Sequence, residues 1–277
     1  MKKLFSAINA AGICLAPWTI SGVMATGLLL SVPVQSLAQQ QTPAYSAEQQ
    51  AALKEALELA TQAVKLHLEG KSRVAIPLAE RALAMFERVL GKEDPLVAIN
   101  LGLLALMYQE QGQYKKAEPL FLRVLAITEK EHPHQVHPDV AASLNSLAQV
   151  YYSQGKYQQA ESLFIRALAI FEQLQGKEEL VAITLSNLAV VYQAQGKYQQ
   201  AESLLLRALK IREKMPNNES SSLTTIWNNL ATVYREQQKY QQAESLFLRA
   251  LALDEKQYGK EHPYVATSLQ DLRNWHK

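Results

Sequence analysis

Three histidines that could serve as metal ligands stand close together in the stretch EHPHQVHPD. They are His132, His134 and His137. Neutral imidazole is a common ligand for transition metal ions, so this cluster could bind one. However, no partner series of Asp, Glu or His recurs elsewhere in the sequence. His137-Pro138 also fits the start of a helix, where proline suits the first position. We therefore predict neither a metal site nor a cofactor.

A series of glutamates could supply carboxylates for general acid–base catalysis. They are Glu161, Glu202 and Glu244. Each lies in a copy of one segment, which reads QGKYQQAESL at 154–163 and 195–204 and QQKYQQAESL at 237–246. A catalytic motif is usually needed once, so a segment written three times is more often architectural. We interpret these glutamates as part of a solvated helix face that can contact nearby arginines, namely Arg166, Arg207 and Arg249.

The rest of the sequence offers no motif of an enzyme. It contains no Gly-rich phosphate loop, nucleophile elbow or zinc-protease helix. The 277 residues are 48% hydrophobic and 19% charged, and the formal net charge is +2. Such a composition is ordinary for a soluble protein and does not favour binding to nucleic acid. The sequence therefore predicts that the protein is not an enzyme, with a hydrolase of unknown type as the enzymatic alternative.

Residues 1–38 differ from the rest of the chain and have the pattern of a secretory signal peptide. A positively charged start precedes two apolar runs, no acidic residue is present, and small residues mark a cleavage site after Ala38. Cleavage there would place the protein in the periplasm or outside the cell. The alternative is an uncleaved membrane anchor formed by residues 4–34. Cys14 is the one cysteine of the chain, so the cleaved protein would have no thiol.

The repeated segment belongs to a longer period of about 42 residues. Its glycine, or the residue in the same place, recurs at positions 70, 112, 155, 196 and 238, with spacings of 42, 43, 41 and 42. Apolar residues on both sides of each position follow three- and four-residue steps, which predicts an amphipathic helix before and after a tight turn. Glycine can adopt positive φ at such a turn without strain, whereas Gln238 lacks that freedom.

Beyond the N-terminal segment we predict a polar linker over 39–46 and a helical repeat domain over 47–277. The five helix–turn–helix units of this domain cover about 47–92, 94–134, 137–177, 179–218 and 221–259, and a capping helix follows over 262–276. Alanines are expected where the two helices of a unit approach closely, at Ala160, Ala201 and Ala243. Tyrosines should supply apolar area beside the turn, at Tyr157, Tyr198 and Tyr240. Pro77 and Pro119 should each remove one helical hydrogen bond without breaking the helix.

The repeating pattern resembles the tetratricopeptide repeat. The residues that carry the resemblance in the third unit are Leu147, Ala148, Tyr151, Gly155, Tyr157, Ala160, Phe164 and Ala167. The usual period of that repeat is about 34 residues. The longer form, HPDVAASLNSLAQVYYSQGKYQQAESLFIRALAI, is similar to the repeats of kinesin light chains and related bacterial proteins. The resemblance covers about 47–277 and implies an all-α fold, a right-handed superhelical solenoid of antiparallel helix pairs.

The resemblance also implies a groove lined by the first helix of each unit. The predicted partner-binding residues at groove positions are Asn145, Gln149, Tyr152, Asn187, Gln193, Asn228, Asn229 and Arg235. Asn and Gln side chains both donate and accept hydrogen bonds, so they can pair with a peptide main chain. In the second unit Gln109 and Glu110 hold two groove places, but Gly102 and Leu103 replace the asparagines.

These observations favour a protein-interaction scaffold that binds a protein or peptide and needs no cofactor. A structural spacer or assembly subunit that uses its end surfaces, with the groove idle, is the alternative.

Overall fold

The computed structural model describes residues 45–134, 136–215 and 221–259, together with Val265. The regular structure in these ranges is entirely helical, which confirms the all-α prediction. The helices are α1 (Ala47–Leu68), α2 (Ser72–Leu90), α3 (Pro95–Glu110), α4 (Tyr114–Glu131), α5 (Pro138–Ser153), α6 (Tyr157–Gln173), α7 (Glu178–Ala194), α8 (Tyr198–Glu213), α9 (Ser221–Glu236) and α10 (Tyr240–Tyr258). Odd-numbered helices are the first helices of the five repeats, and even-numbered helices are the second helices.

Several predicted segments lie outside the described residues. These are the signal peptide or anchor within 1–38, the linker up to residue 44, and the capping helix over 262–276 apart from Val265. None of the described helices combines the length and the apolar character needed to cross a membrane.

The helices form two compact units, and the chain passes from one to the other between Gln135 and Val136. The first unit contains α1 to α4, and the second contains α5 to α10. Within each unit every helix packs against the next helix along the chain. First helices of successive repeats also touch, because α7 contacts both α5 and α9. Each unit is therefore a stack of antiparallel helix pairs.

Short polar caps explain where two of the first helices begin. The Asp94 carboxylate accepts a hydrogen bond from the Leu96 N–H at 2.8 Å. The His137 Nδ1 accepts one from the Asp139 N–H at 3.3 Å. In both cases proline follows as the first helical residue, where its missing N–H leaves no helical bond unmade. His137 thus has a structural role at a helix start.

The turn inside each repeat is a Schellman motif. In the third repeat the Lys156 N–H donates to the Tyr151 carbonyl and the Gly155 N–H donates to the Tyr152 carbonyl, each at 2.8 Å. The central residue of this motif needs a left-handed conformation, and the φ of Gly155 is 75°. The equivalent residue of the fifth repeat is Gln238, which has a φ of 61°. Among the described residues, no other non-glycine residue has a positive φ.

The alanine of the repeated segment lies in the core, as the sequence predicts. Ala160 is fully buried in a cluster with Ala148, Phe164, Leu188 and Val191. This cluster draws on α5, α6 and α7, so it joins the third repeat to the fourth. Because Ala160 is fully buried where these three helices meet, a larger side chain there would have to push them apart.

Both prolines of the second helices behave as predicted, because α2 continues through Pro77 and α4 continues through Pro119. The tyrosine prediction fails in the last repeat, where Tyr240 is 53% exposed. In the third repeat Tyr157 packs against the cluster that the next repeat completes. Tyr240 belongs to the last described helix pair, so no following described pair completes a cluster beside its ring.

Candidate functional site

The eight predicted partner-binding residues all lie on the three first helices of the second unit. Helix α5 carries Asn145, Gln149 and Tyr152, α7 carries Asn187 and Gln193, and α9 carries Asn228, Asn229 and Arg235. Because these helices are neighbours, the structure places the residues on adjacent elements of one compact unit. We call the six asparagine and glutamine residues among them the amide row.

The amide row has a buried layer and an outer layer. Asn145, Gln149 and Asn187 are only 3%, 1% and 4% exposed. The outer layer is partly exposed and consists of Gln193, Asn228 and Asn229, with Tyr152 and Arg235 beside them. The buried layer was not expected from the sequence, which assigned all of these residues to one groove face.

Two amides connect neighbouring first helices. The Asn145 Nδ2 donates to the Thr184 Oγ1 at 2.9 Å, and the Thr184 hydroxyl donates in turn to the Leu180 carbonyl at 2.8 Å. The Gln193 Nε2 donates to the main-chain oxygen of Asn229 at 2.9 Å. The α5–α7 and α7–α9 contacts are therefore polar where these side chains meet.

Other atoms of the amide row are buried without a hydrogen-bond partner among the described residues. They are the Oδ1 atoms of Asn145 and Asn228, the Nδ2 of Asn187 and both polar atoms of Gln149. Leaving such an atom unpaired costs about 1–3 kcal/mol, so buried polar groups of folded proteins are nearly always paired. Unpaired buried atoms of this kind also occur at Gln109, Gln195, Trp227 and Gln237, but the amide row holds five of them on three neighbouring first helices.

Gln149 is the clearest exception, because other repeats have a hydrophobic residue at the equivalent position. Leu106 and Val190 occupy the same place in the second and fourth repeats. Leu106 is also buried, at 8% exposed. Packing alone therefore does not call for an amide at this position.

Electrostatics in the outer layer are weak. Arg235 pairs with its neighbour Glu236 at 3.1 Å, and both side chains are more than a third exposed. Burial, and then the nearby Tyr157, raise the pKa of Tyr152, so its hydroxyl stays protonated and can donate a hydrogen bond at neutral pH.

The first unit differs at the asparagine places, although the Gln109 Oε1 on α3 is also buried without a hydrogen-bond partner among the described residues. Leu103, which replaces an asparagine, is buried at 1% exposed. The Glu110 carboxylate accepts a hydrogen bond from the Ser72 hydroxyl at 3.2 Å and lies 3.3 Å from the His67 Nδ1. Glu110 is thus engaged with the preceding repeat, although its position suggested a groove residue.

The glutamates of the repeated segment join each repeat to the next one. The Glu161 carboxylate accepts hydrogen bonds from the Gln195 Nε2 at 2.9 Å and the Lys197 Nζ at 3.1 Å. In the next repeat the same pattern recurs with Glu202 as the acceptor and with Gln237 and Lys239 as donors. We call each such group a repeat clamp. Its cation comes from the following turn. Of the arginines expected from the sequence, Arg207 pairs instead with Glu172 at 2.6 Å.

Each repeat clamp also includes an aromatic ring. The Lys197 Nζ lies 5.1 Å from the ring centroid of Tyr192, and the Lys239 Nζ lies 5.1 Å from that of Tyr234. Burial raises the pKa of Glu161, but hydrogen bonds from Gln195 and Lys197 outweigh it, so the pKa of this carboxyl is lowered. Its ionised form is engaged by the turn of the next repeat, which favours a structural role over a catalytic ladder.

The sequence profile of the tetratricopeptide repeat matches residues 64–130, 139–214 and 222–275, which is well over half of the chain. The chain belongs to the tetratricopeptide repeat family. No curated protein sequence matches it.

Solved structures of tetratricopeptide repeat proteins are similar to this chain. A Podosopora anserina protein with nearly identical TPR-like repeats of the kinesin light chain type is 28% identical, with 73% of this chain and 95% of that chain covered and a TM-score of 0.61. BtubC (BKLC) from P. vanneervenii is 28% identical, with 77% and 91% covered and a TM-score of 0.62. These neighbours confirm the predicted likeness to kinesin light chain repeats. NprR in complex with its cognate peptide NprX shares the fold, with 17% identity, 94% and 73% covered and a TM-score of 0.62.

Proposed function

We propose that this tetratricopeptide repeat protein is a non-enzymatic scaffold that binds a partner peptide or protein through the first helices α5, α7 and α9. The observation that carries the proposal is the amide row, because three successive first helices present amides whose hydrogen-bonding capacity the fold leaves partly unused. A peptide main chain offers the matching donors and acceptors. The neighbour NprR, which was solved with its cognate peptide, illustrates this use of the fold.

The test is a pull-down with the triple variant Asn145→Ala/Asn187→Ala/Asn228→Ala. We expect it to lose partners that the wild-type protein retains. The matched control is Gln158→Ala/Gln199→Ala/Gln241→Ala, which removes three amides from exposed positions on the second helices of the same repeats. Partners retained unchanged by the first variant would contradict the proposal and favour a structural spacer that uses its end surfaces.

We further propose that the protein acts after export. The support is the sequence pattern of residues 1–38, whose removal would take the formal net charge from +2 to 0 because Lys2 and Lys3 are its charged residues. N-terminal sequencing of the protein from an exported fraction should give Gln39 as the first residue. A chain that begins at Met1 and fractionates with membranes would instead support an anchor formed by residues 4–34.

A further inference from the structure

Charge is absent from the central parts of the first helices in the second unit. Residues 140–153, 180–194 and 222–234 contain no Asp, Glu, Lys or Arg. The second helices of the same repeats each contain several charged residues. The clearest examples are Arg166 and Glu172 on α6, Lys210 and Glu213 on α8, and Arg249 and Lys256 on α10. The two kinds of helix therefore present chemically different faces.

Small and aliphatic side chains make up much of what these uncharged stretches expose. Those that are partly or fully exposed include Ala142, Ser146, Ile183, Val190, Thr225 and Thr232. Together with the outer amides they provide methyl groups, hydroxyls and carboxamides. A charged ligand group buried against them would lose its hydration and gain no opposite charge.

Gln149 and Asn145 add unused hydrogen-bonding capacity beside this face. They are four residues apart on α5, so they lie on the same side of the helix. Gln149 has one unpaired donor and one unpaired acceptor among the described contacts, and Asn145 has one unpaired acceptor. A peptide unit pairs with a carboxamide through one N–H and one C=O. Because Gln149 is covered in the free protein, its side chain must turn toward the ligand on binding.

We infer that the ligand of this face is an uncharged, extended polypeptide segment that is recognised through its main-chain amides, with Gln149 as a contact residue. The inference rests on the proposed function and names the chemical class of the partner. It disfavours acidic or basic peptides and a free carboxyl terminus, because these stretches supply no opposite charge and Arg235, which directly follows the third stretch, is already paired with Glu236. Binding without charge pairing should depend little on salt.

The test uses the full chain and a fluorescent library of peptides built from Ala, Val, Ser, Thr, Asn and Gln. Matched sets carry Glu or Lys substitutions, and one set ends in a free carboxylate while its counterpart is amidated. We expect uncharged peptides to bind best, with a Kd that changes less than about twofold between about 0.05 M and 0.5 M salt. Preference for charged or free-carboxylate peptides, or a steep salt dependence, would overturn the inference and leave the proposed function intact.

The role of Gln149 is tested with Gln149→Leu, which copies the residue at the same place in the second repeat. We expect binding of the best uncharged peptide to weaken at least about tenfold, while the thermal midpoint does not fall. Gln158→Leu makes the same change at an exposed position on α6 and should bind as the wild type does. Wild-type binding by the Gln149→Leu protein would refute the assigned contact.

A library in which no peptide binds would also overturn the inference. The pull-down with the triple alanine variant then decides the proposed function separately. Loss of partners in that variant keeps the scaffold proposal, and unchanged partners reject both.

Discussion

Gln238 holds a backbone conformation that the other four repeats assign to glycine. The turn needs a left-handed residue, and this conformation costs an L-residue with a side chain about 1 kcal/mol or more. We expect Gln238→Gly to raise the free energy of unfolding by about 0.5–1 kcal/mol, less than the full strain because glycine gains entropy in the unfolded chain. Urea denaturation would measure the change.

The reciprocal variant Gly196→Gln is the matched control, since it places the same side chain in the same turn one repeat earlier. Its φ of 73° predicts a loss of similar size. Equal stability of all three proteins would show that the turn relaxes around either residue.

The repeat clamps predict how stability depends on pH. Burial raises the pKa values of Glu161 and Glu202, but hydrogen bonds from lysine and glutamine outweigh it and lower both values from 4.5. A lowered pKa means that folding favours the ionised carboxylate. The stabilisation is therefore complete above the unfolded pKa and is lost as the pH falls through the folded pKa.

We expect Glu161→Gln/Glu202→Gln to cost about 1 kcal/mol per clamp at pH 7, and this cost should vanish as the pH falls below the folded pKa values of the two carboxyls. Urea denaturation of both proteins across this range would show the two stability curves converging at low pH. Glu244→Gln is the matched control, because no turn of a following repeat meets Glu244 in the described part of the chain. A constant difference at every pH would mean that the carboxylate charge is not what stabilises the clamp.

At the scale of helices, Ala160 controls the approach of α5, α6 and α7. We expect Ala160→Phe to overpack this cluster and reduce the free energy of unfolding by roughly 1–3 kcal/mol. Thermal melting followed by circular dichroism would measure it. Gln158→Phe adds the same ring at an exposed position of α6 and should leave the melting temperature nearly unchanged. An unchanged melting curve for Ala160→Phe would contradict the packing register.

The helices could be predicted from the sequence because a period of about 42 residues repeats the same local signals five times. Turn glycines, helix-start prolines and apolar stripes each determine the backbone within a few residues of themselves. The sequence alone is therefore sufficient to locate the helices. The burial of the Asn145 and Gln149 side chains could not be predicted in this way. Their burial depends on how closely α7 packs against α5, which is a contact between repeats.

The partners of Glu161 were missed for a related reason. The sequence suggested arginines of the same or the next repeat as partners, whereas the structure supplies Lys197 from the next repeat. The signal was present in the repeated segment, where a lysine of each turn recurs together with the glutamate. Only a three-dimensional stack places the lysine of one copy beside the glutamate of the copy before it.

At the scale of the molecule, the two compact units differ in their number of repeats. The second unit contains three repeats, and the first contains two. Helix-pair repeats gain stability by stacking, and about three are needed for a stable array. We expect a fragment of residues 136–277 to melt cooperatively by circular dichroism and a fragment of residues 39–134 to melt at a lower temperature. A noncooperative melt of the longer fragment would contradict this expectation.

The repeat clamps also allow whole repeats to be lost or gained, because each clamp uses the same residues in successive repeats. Deleting residues 155–195 would join Gln154 to Gly196, and the sequence across the join would still be QGKYQQAESL. Glu202 would keep its bonds to the next turn, because both partners lie downstream of the join. A gene that loses or duplicates one such block would encode a shorter or longer array with intact junctions. The number of amides in the amide row would then follow the number of repeats, so recombination could lengthen or shorten the proposed binding face without a new kind of contact.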